Sequence, residues 1–168
     1  MQKSTTPTPS RRSPTADELN TWRTFIETTD ALRSTLASRL QSESGVSPGD
    51  YAVLLALSEA SGSRIRSSEL ADQVNWERSR LSHHLGRMES RGLIRREKCL
   101  TDNRGAEIVL TESGASQFRR ASAPHLRAVQ ELFVDALDEE LLVKVDEVTR
   151  ALRVHLGDQA ASSPSSRA

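Results

Sequence analysis

From Thr15 onward, apolar residues recur at the 3.6-residue period of a helix. Leu19, Trp22, Ile26, Leu36 and Leu40 make one stripe, interrupted by Thr29 and Arg33. Thr15 and Glu18 have the spacing of a capping box, so a first helix is predicted from Thr15 to about Gln41. Ser47-Pro48-Gly49-Asp50 is a second start signal with proline at the first helical position. It opens a short apolar helix through Tyr51, Leu54, Leu55 and Leu57 that Gly62 ends. Ser67 or Ser68 then caps a helix of about two turns carrying Leu70, Ala71 and Val74. After a turn at Asn75, a longer helix runs to Arg91, with Leu81, Leu85 and Met88 on one face and Gly92 just past its end. Two short helices joined by a tight turn, the second amphipathic and rich in Arg, Ser and His, predict a helix-turn-helix.

The period then changes. Leu93 to Leu100 and Ala106 to Leu110 read as two strands around the polar turn Thr101-Asp102-Asn103-Arg104-Gly105, a hairpin in the position of a wing. Thr111 caps a long helix to about Leu137 through Phe118, Leu126, Val129, Leu132 and Phe133. Pro124 lies inside it and is expected to kink or break it. Asp138 caps a last helix whose Leu141, Val145, Val148 and Leu152 step by four, three and four, the seam of a helix packed along another helix. Both ends are rich in Ser, Thr and Pro and nearly free of apolar side chains. The organisation expected is therefore a disordered tail at 1–14, an N-terminal helix at 15–45, a winged helix-turn-helix at 46–110, C-terminal helices at 111–157 and a second disordered tail at 158–168. The fold class is mainly α with a small β-hairpin wing.

Charge refines this picture. The 168 residues carry 23 Lys+Arg and 23 Asp+Glu, a net charge of zero that would count against a polyanion partner. The balance is uneven, however. Residues 64–104 hold ten basic groups against six acidic ones, whereas 105–168 hold seven against ten. The single cysteine, Cys99, excludes an internal disulfide framework and fits a reducing compartment. No apolar stretch has the length of a secretory or membrane segment, so a cytoplasmic location with no membrane partner is expected.

On a helical wheel, the face opposite Leu81, Leu85 and Met88 holds Ser79, His83, Gly86 and Ser90. Arg80 and Arg87 flank it on one side and Ser82 on the other. Short donors, guanidinium forks and an imidazole are the side chains that reach base edges and phosphates in a major groove. The stretch from about Ser47 to Gly114 resembles the winged helix-turn-helix regulators of the MarR (multiple antibiotic resistance regulator) family. The strongest match is Asp102-Asn103-Arg104-Gly105-Ala106-Glu107-Ile108-Val109-Leu110-Thr111-Glu112-Ser113-Gly114, which fits the family's wing pattern D-x-R-x-x-x-x-x-L-T-x-x-G. Ser68-Glu69-Leu70-Ala71, Arg78-Ser79-Arg80-Leu81-Ser82 and Glu89-Ser90-Arg91-Gly92-Leu93-Ile94-Arg95-Arg96 match at the expected spacing. One departure is Asn75-Trp76-Glu77, where the family places Gly-Leu-Ser before the recognition helix.

The resemblance implies a regulator, in most members a repressor, whose outer helices interlock in a homodimer and whose paired HTH units bind a palindromic operator in double-stranded DNA. The DNA-contacting set is then Arg78, Ser79, Arg80, Ser82, His83, Arg87, Arg95, Arg96, Asp102 and Arg104. Arg104 enters the minor groove and Asp102 steadies its guanidinium. It also implies a small aromatic or phenolic ligand between the dimerisation helices and the HTH, for which Trp22, Tyr51 and Phe118 are the candidate walls; core packing is the competing reading of these aromatics. Cys99, beside Arg96 and Lys98, is a candidate redox thiol, with a passive thiol as the competing reading. His83, His84, Cys99, His125 and His155 form no ligand pair at metal-binding spacing, and no nucleophile–base pair or cofactor fingerprint is present, so neither a metal, a cofactor nor an enzyme activity is expected. Two other readings of the residues remain: a winged-helix module that binds another protein and little DNA, and a DNA-binding regulator that takes no ligand.

Overall fold

The computed structural model describes residues 12–98 and 106–162, with side chains as far as Gly157. The chain divides into two compact units at Thr35 and Leu36. Its elements are α1 (Ala16–Ser44), α2 (Pro48–Glu59), β1 (Arg64–Arg66), α3 (Ser67–Gln73), α4 (Arg78–Ser90), β2 (Ile94–Lys98), β3 (Ala106–Leu110), α5 (Glu112–Val129) and α6 (Glu139–Ser162). This is the mainly helical, winged helix-turn-helix architecture that the pattern predicts.

The first unit holds most of α1, and the capping box forms as read. Thr15 N donates to Glu18 Oε2 at 2.8 Å, and Glu18 N donates to Thr15 Oγ1 at 3.2 Å. Arg12 pairs with the same carboxylate, and its bonds, followed by that from Thr15, lower the Glu18 pKa to about 2. Leu19, Trp22, Phe25 and Ile26 are all exposed.

The second unit contains the core, built from Leu40, Val46, Val53, Leu54, Leu57, Ile65, Leu70, Leu81, Leu85, Met88, Leu93, Ile94 and Ile108 with Ala71 and Ala121 between them. The sheet is antiparallel in the order β1-β3-β2, with Ile65 opposite Ile108 and Ile94 opposite Leu110. The third strand was not legible in the sequence, because Arg64-Ile65-Arg66 is too short to show an alternating period. Its pairing also corrects the α3 start. Arg66 is held extended opposite Glu107 and is itself the N-cap, so Ser67 is already helical and no side-chain cap forms. Likewise α2 ends at Glu59, and Gly62 sits in a separate tight turn at Ser61–Ser63.

The strand expected to reach Leu100 is described to Lys98, and residues 99–105, with Cys99, Asp102 and Arg104, lie outside the described residues. Pro124 does not break α5, which runs on to Val129. The departure from α geometry comes later, as a wide π turn at Gln130–Val134. The last helix passes the boundary expected at 157 and continues to Ser162, through Gln159, Ala160 and Ala161, which favour helix, and with no proline before Pro164.

Two joints tie the wing and the long helices to the HTH. In the first, Thr111 caps α5 by accepting from Gly114 N at 3.0 Å, and its hydroxyl lies 2.6 Å and 2.9 Å from the carbonyl oxygens of Gly92 and Leu93. A Cβ at Gly114 would stand 2.1 Å from the Leu93 carbonyl oxygen, so only glycine fits. The final Thr and Gly of the wing pattern are thus explained by a backbone crossing. In the second joint, Asp50 on α2 is 3% exposed and receives two bonds from Arg91 at the end of α4, at 2.9 Å and 2.7 Å. Burial raises its pKa, but the bonds from Arg91 and Ser47 and the nearby positive charge outweigh this, leaving the carboxyl below its ordinary value.

Gly114→Ala is expected to cost about 2–3 kcal/mol, because the methyl meets backbone that cannot rotate away; thermal unfolding measures it. Asp50→Asn is expected to cost about 2 kcal/mol at neutral pH, less than a fully enclosed pair because Arg91 keeps 48% of its side chain in solvent. Since the folded-state pKa lies below the unfolded value of about 3.9, this contribution is complete above about pH 4 and is lost as pH falls through the folded pKa. Acid titration of denaturant midpoints should therefore show a shallower acid decline for the Asn variant than for the native chain.

Candidate nucleic-acid interface

The amphipathic reading of α4 is met residue by residue. Leu81, Leu85 and Met88 are at most 1% exposed, while Arg78, Ser79, Arg80, Ser82, His83 and Arg87 all lie on the open side. Asn75 takes the left-handed conformation at φ +53°, which a short polar side chain tolerates, and makes the turn between α3 and α4. Glu77 is the N-cap of α4 without a side-chain capping bond, so the departure from the family's Gly-Leu-Ser costs the helix a cap. Trp76 takes the apolar place and packs against the core.

The arginines around this face are held differently from one another. Arg80 lies over the Trp76 ring at 4.5 Å, a cation–π contact that keeps the guanidinium beside the open face. Arg87 reaches His84 Nδ1 at 3.0 Å. Among the described residues the side chains of Arg78, Ser79 and His83 make no hydrogen bond or ion pair. On β2, Arg95 donates to Glu97 at 2.6 Å, and this pairing lowers the Glu97 pKa. Arg96 is tied more firmly to the scaffold: it donates to the Ser82 carbonyl at 2.8 Å, its backbone N–H donates to Glu89 at 3.0 Å, and its Nε stands 3.5 Å from the same carboxylate. Its first task is thus to brace β2 against α4. Gly86 is exposed, and a Cβ there would lie 3.9 Å from Arg96 Nη2.

Three residues that the sequence reading assigned no role here share one cluster with this face. Asp50, His84 and Arg91 line a cleft with Ser47, Arg87 and Ser90. The signal for the pairing of Asp50 with Arg91 is an Asp and an Arg 41 positions apart, which no local pattern reveals.

Of the candidate ligand residues, Tyr51 and Phe118 meet in the second unit, with ring centroids 5.4 Å apart, and His125 joins them at 4.6 Å from Tyr51. The Nδ1 of His125 is buried without a partner. Trp22 belongs to the first unit, where it is 61% exposed and lines a shallow cleft with Arg12, Pro14, Glu18 and Leu19. Among the described residues no group of three or more His, Cys, Asp or Glu is placed to hold a metal ion, and no helix is long and apolar enough to cross a membrane.

Comparison with known proteins agrees with this geometry. Residues 44–105 match the profile of the MarR family. The solved structure of AbsC, a MarR family transcriptional regulator from Streptomyces coelicolor, is 38% identical with a TM-score of 0.82, over 88% of this chain and 99% of that one. A second MarR family regulator from Streptomyces coelicolor, solved in complex with DNA, is 35% identical with a TM-score of 0.82, over 87% of this chain and 91% of that one. Among curated proteins, the HTH-type transcriptional regulator YdgJ of Bacillus subtilis is 26% identical over 106 residues, so the match spans 63% of each chain. A helix-turn-helix with an open basic face, a wing closed by the Thr111–Gly114 joint and 38% identity over nearly the whole chain lead to one conclusion: this chain belongs to the MarR family of DNA-binding transcriptional regulators.

Proposed function

We propose that the chain works as a homodimer that reads a palindromic operator and represses transcription, releasing DNA when a small aromatic or phenolic ligand binds. The observation that carries the DNA contact is the open face of α4, where Arg78, Ser79, Arg80, Ser82, His83 and Arg87 stand over a fully buried apolar side. In this reading α4 enters the major groove, Arg95 lies toward the backbone, and the wing carries Arg104, steadied by Asp102, into the adjacent minor groove. Arg96 contributes by fixing β2 to α4.

The dimer is supported by apolar surface that the single chain leaves uncovered. Leu141, Val143, Val148, Leu152, Val154 and Leu156 on α6 are between 44% and 66% exposed, and α1 exposes Leu19, Trp22, Phe25 and Ile26. Helices of 24 and 29 residues with such faces are stable in water when another helix covers them. Dimer geometry would then set two recognition helices about 34 Å apart, one turn of DNA. For the ligand, the cluster of Tyr51, Phe118 and His125 within the second unit offers aromatic faces and an unpartnered ring nitrogen. Such a ligand acts only by binding better to a dimer whose helix spacing misfits the operator. The protein is assigned no catalytic role and a cytoplasmic place of work, and Cys99 is read as a passive thiol.

Binding to a duplex selected from random DNA should weaken steeply as salt rises, with a log–log slope reporting the phosphates contacted; a salt-independent complex would favour a protein-binding module instead. Arg104→Ala should weaken operator binding by about 1–3 kcal/mol while sedimentation still shows a dimer, and unchanged affinity would remove the wing contact. Leu152→Asp should raise the dimer dissociation constant by on the order of 100-fold in analytical ultracentrifugation, because it buries an unpaired charge.

A further inference from the structure

His84 lies between the buried Asp50 and the open face of α4, with 13% of its side chain exposed, and its ring is approached from three sides. Nε2 is 2.9 Å from Asp50 Oδ1, Nδ1 is 3.0 Å from Arg87 Nη2, and Trp76 meets the ring edge-on with centroids 5.0 Å apart. A Cβ on Gly49 would come within 2.9 Å of His84 Cε1 and 3.0 Å of the Trp76 ring, so the glycine of Pro48-Gly49-Asp50 is what admits both rings at the start of α2.

These contacts decide where the proton sits. A guanidinium has only N–H donors, so Nδ1 accepts from Arg87. A carboxylate only accepts, so the hydrogen belongs on Nε2, facing Asp50. The other tautomer would set donor against donor at Arg87 and lone pair against carboxylate at Asp50. Burial also lowers the His84 pKa, which favours the neutral ring; Arg87 and Arg91 act in the same direction, while Asp50 opposes them. Nε2 is buried and not aligned for a directed hydrogen bond, so its contact with Asp50 is electrostatic. The directed bond of the ring is the one with Arg87.

We infer that His84 is a positioning residue for operator binding: oriented by Asp50, it holds the Arg87 guanidinium in place before DNA arrives. Among the described residues the Arg87 guanidinium has no other hydrogen bond or ion pair, and without His84 it would swing freely over the cleft. Fixing one long side chain in advance spares the entropy of ordering it at the interface, which corresponds to roughly 2- to 10-fold in affinity. The same carboxylate that clamps Arg91 thereby sets an arginine of the recognition surface. This inference rests on the reading of Arg87 as a DNA contact.

The experiment compares His84→Leu, His84→Asn, Arg87→Ala and the double variant H84L/R87A on a duplex selected from random DNA by the native protein. Folding and dimerisation of each are checked by circular dichroism and sedimentation. His84→Leu should weaken binding roughly 2- to 10-fold, whereas His84→Asn, whose Oδ1 can take the place of Nδ1, should stay within about twofold. In the Arg87→Ala background, His84→Leu should cost nothing more. Unchanged affinity in Arg87→Ala alone overturns Arg87 as a DNA contact and this inference with it. Full loss from His84→Leu in both backgrounds overturns the inference alone, since the ring would then act on the scaffold. Should the Leu variant fail to fold, 15N spectra of the native imidazoles decide: a hydrogen on Nε2 is expected, and one on Nδ1 refutes the arrangement.

Discussion

A single buried carboxylate holds the reading end of this molecule together. Asp50 is the one charged residue among those described that is buried, and a lone carboxylate in that setting would be costly. Arg91 removes the cost with two short bonds, while Ser47 Oγ accepts from the backbone N–H of Asp50 at 3.1 Å. Since Asp50 sits in the first turn of α2 and Arg91 caps the end of α4, the pair fixes the recognition helix against the core at the end opposite its entry turn. At that entry turn Trp76 packs on the core and Asn75 makes the left-handed bend. A helix pinned at both ends by different physics, ionic at one and apolar at the other, presents its outer face in one orientation.

That face is assembled from few charges, which accounts for a regulator of DNA having no net charge. Several arginines of the basic segment are satisfied within the fold: Arg91 by Asp50, Arg96 by Ser82 and Glu89, Arg95 by Glu97, and Arg64 by Glu97 and Glu107. These groups build the wing and the HTH instead of adding to a diffuse positive field. Of the arginines on the open side of α4, Arg80 is placed on Trp76 and Arg87 on His84, while Arg78 has no side-chain partner among the described residues. A face with so few free charges offers little long-range attraction, and its arrangement depends on the joints that set it.

The outer helices follow another logic. The α6 helix fully buries none of its described side chains, and only Leu142 and Val145 are of intermediate exposure, so its apolar residues do not serve the core of this chain. The heptad-like steps of Leu141, Val145, Val148 and Leu152 are therefore information about a partner helix. The wide turn at Gln130–Val134 and the ion pair of Glu131 with Arg39 lie where α5 gives way to that helix.

Local order was legible in the residues alone. The capping box at Thr15 and Glu18, the Ser47-Pro48 start, the left-handed turn at Asn75, the buried row of Leu81, Leu85 and Met88, and the Thr111 cap are decided by groups within a few positions of one another, so period and spacing reveal them. What could not be read is every feature that depends on distant segments meeting. The strand Arg64–Arg66 exists because Glu107 and its neighbours pair with it, the α3 cap moved because that pairing holds Arg66 extended, and Gly114 is required because the Leu93 carbonyl crosses its path. The same holds for the Asp50–Arg91 pair and for His84, whose spacing from the other histidines and Cys99 shows only that it belongs to no metal-ligand pair and reveals nothing of its contacts with Asp50 and Arg87. The sequence by itself determined the helices, the hairpin strands and the composition of the open basic face of α4, because those follow from local propensity and periodicity. The tertiary structure alone decided which of the arginines are braces and which are held ready, because that depends on contacts between residues far apart in the chain.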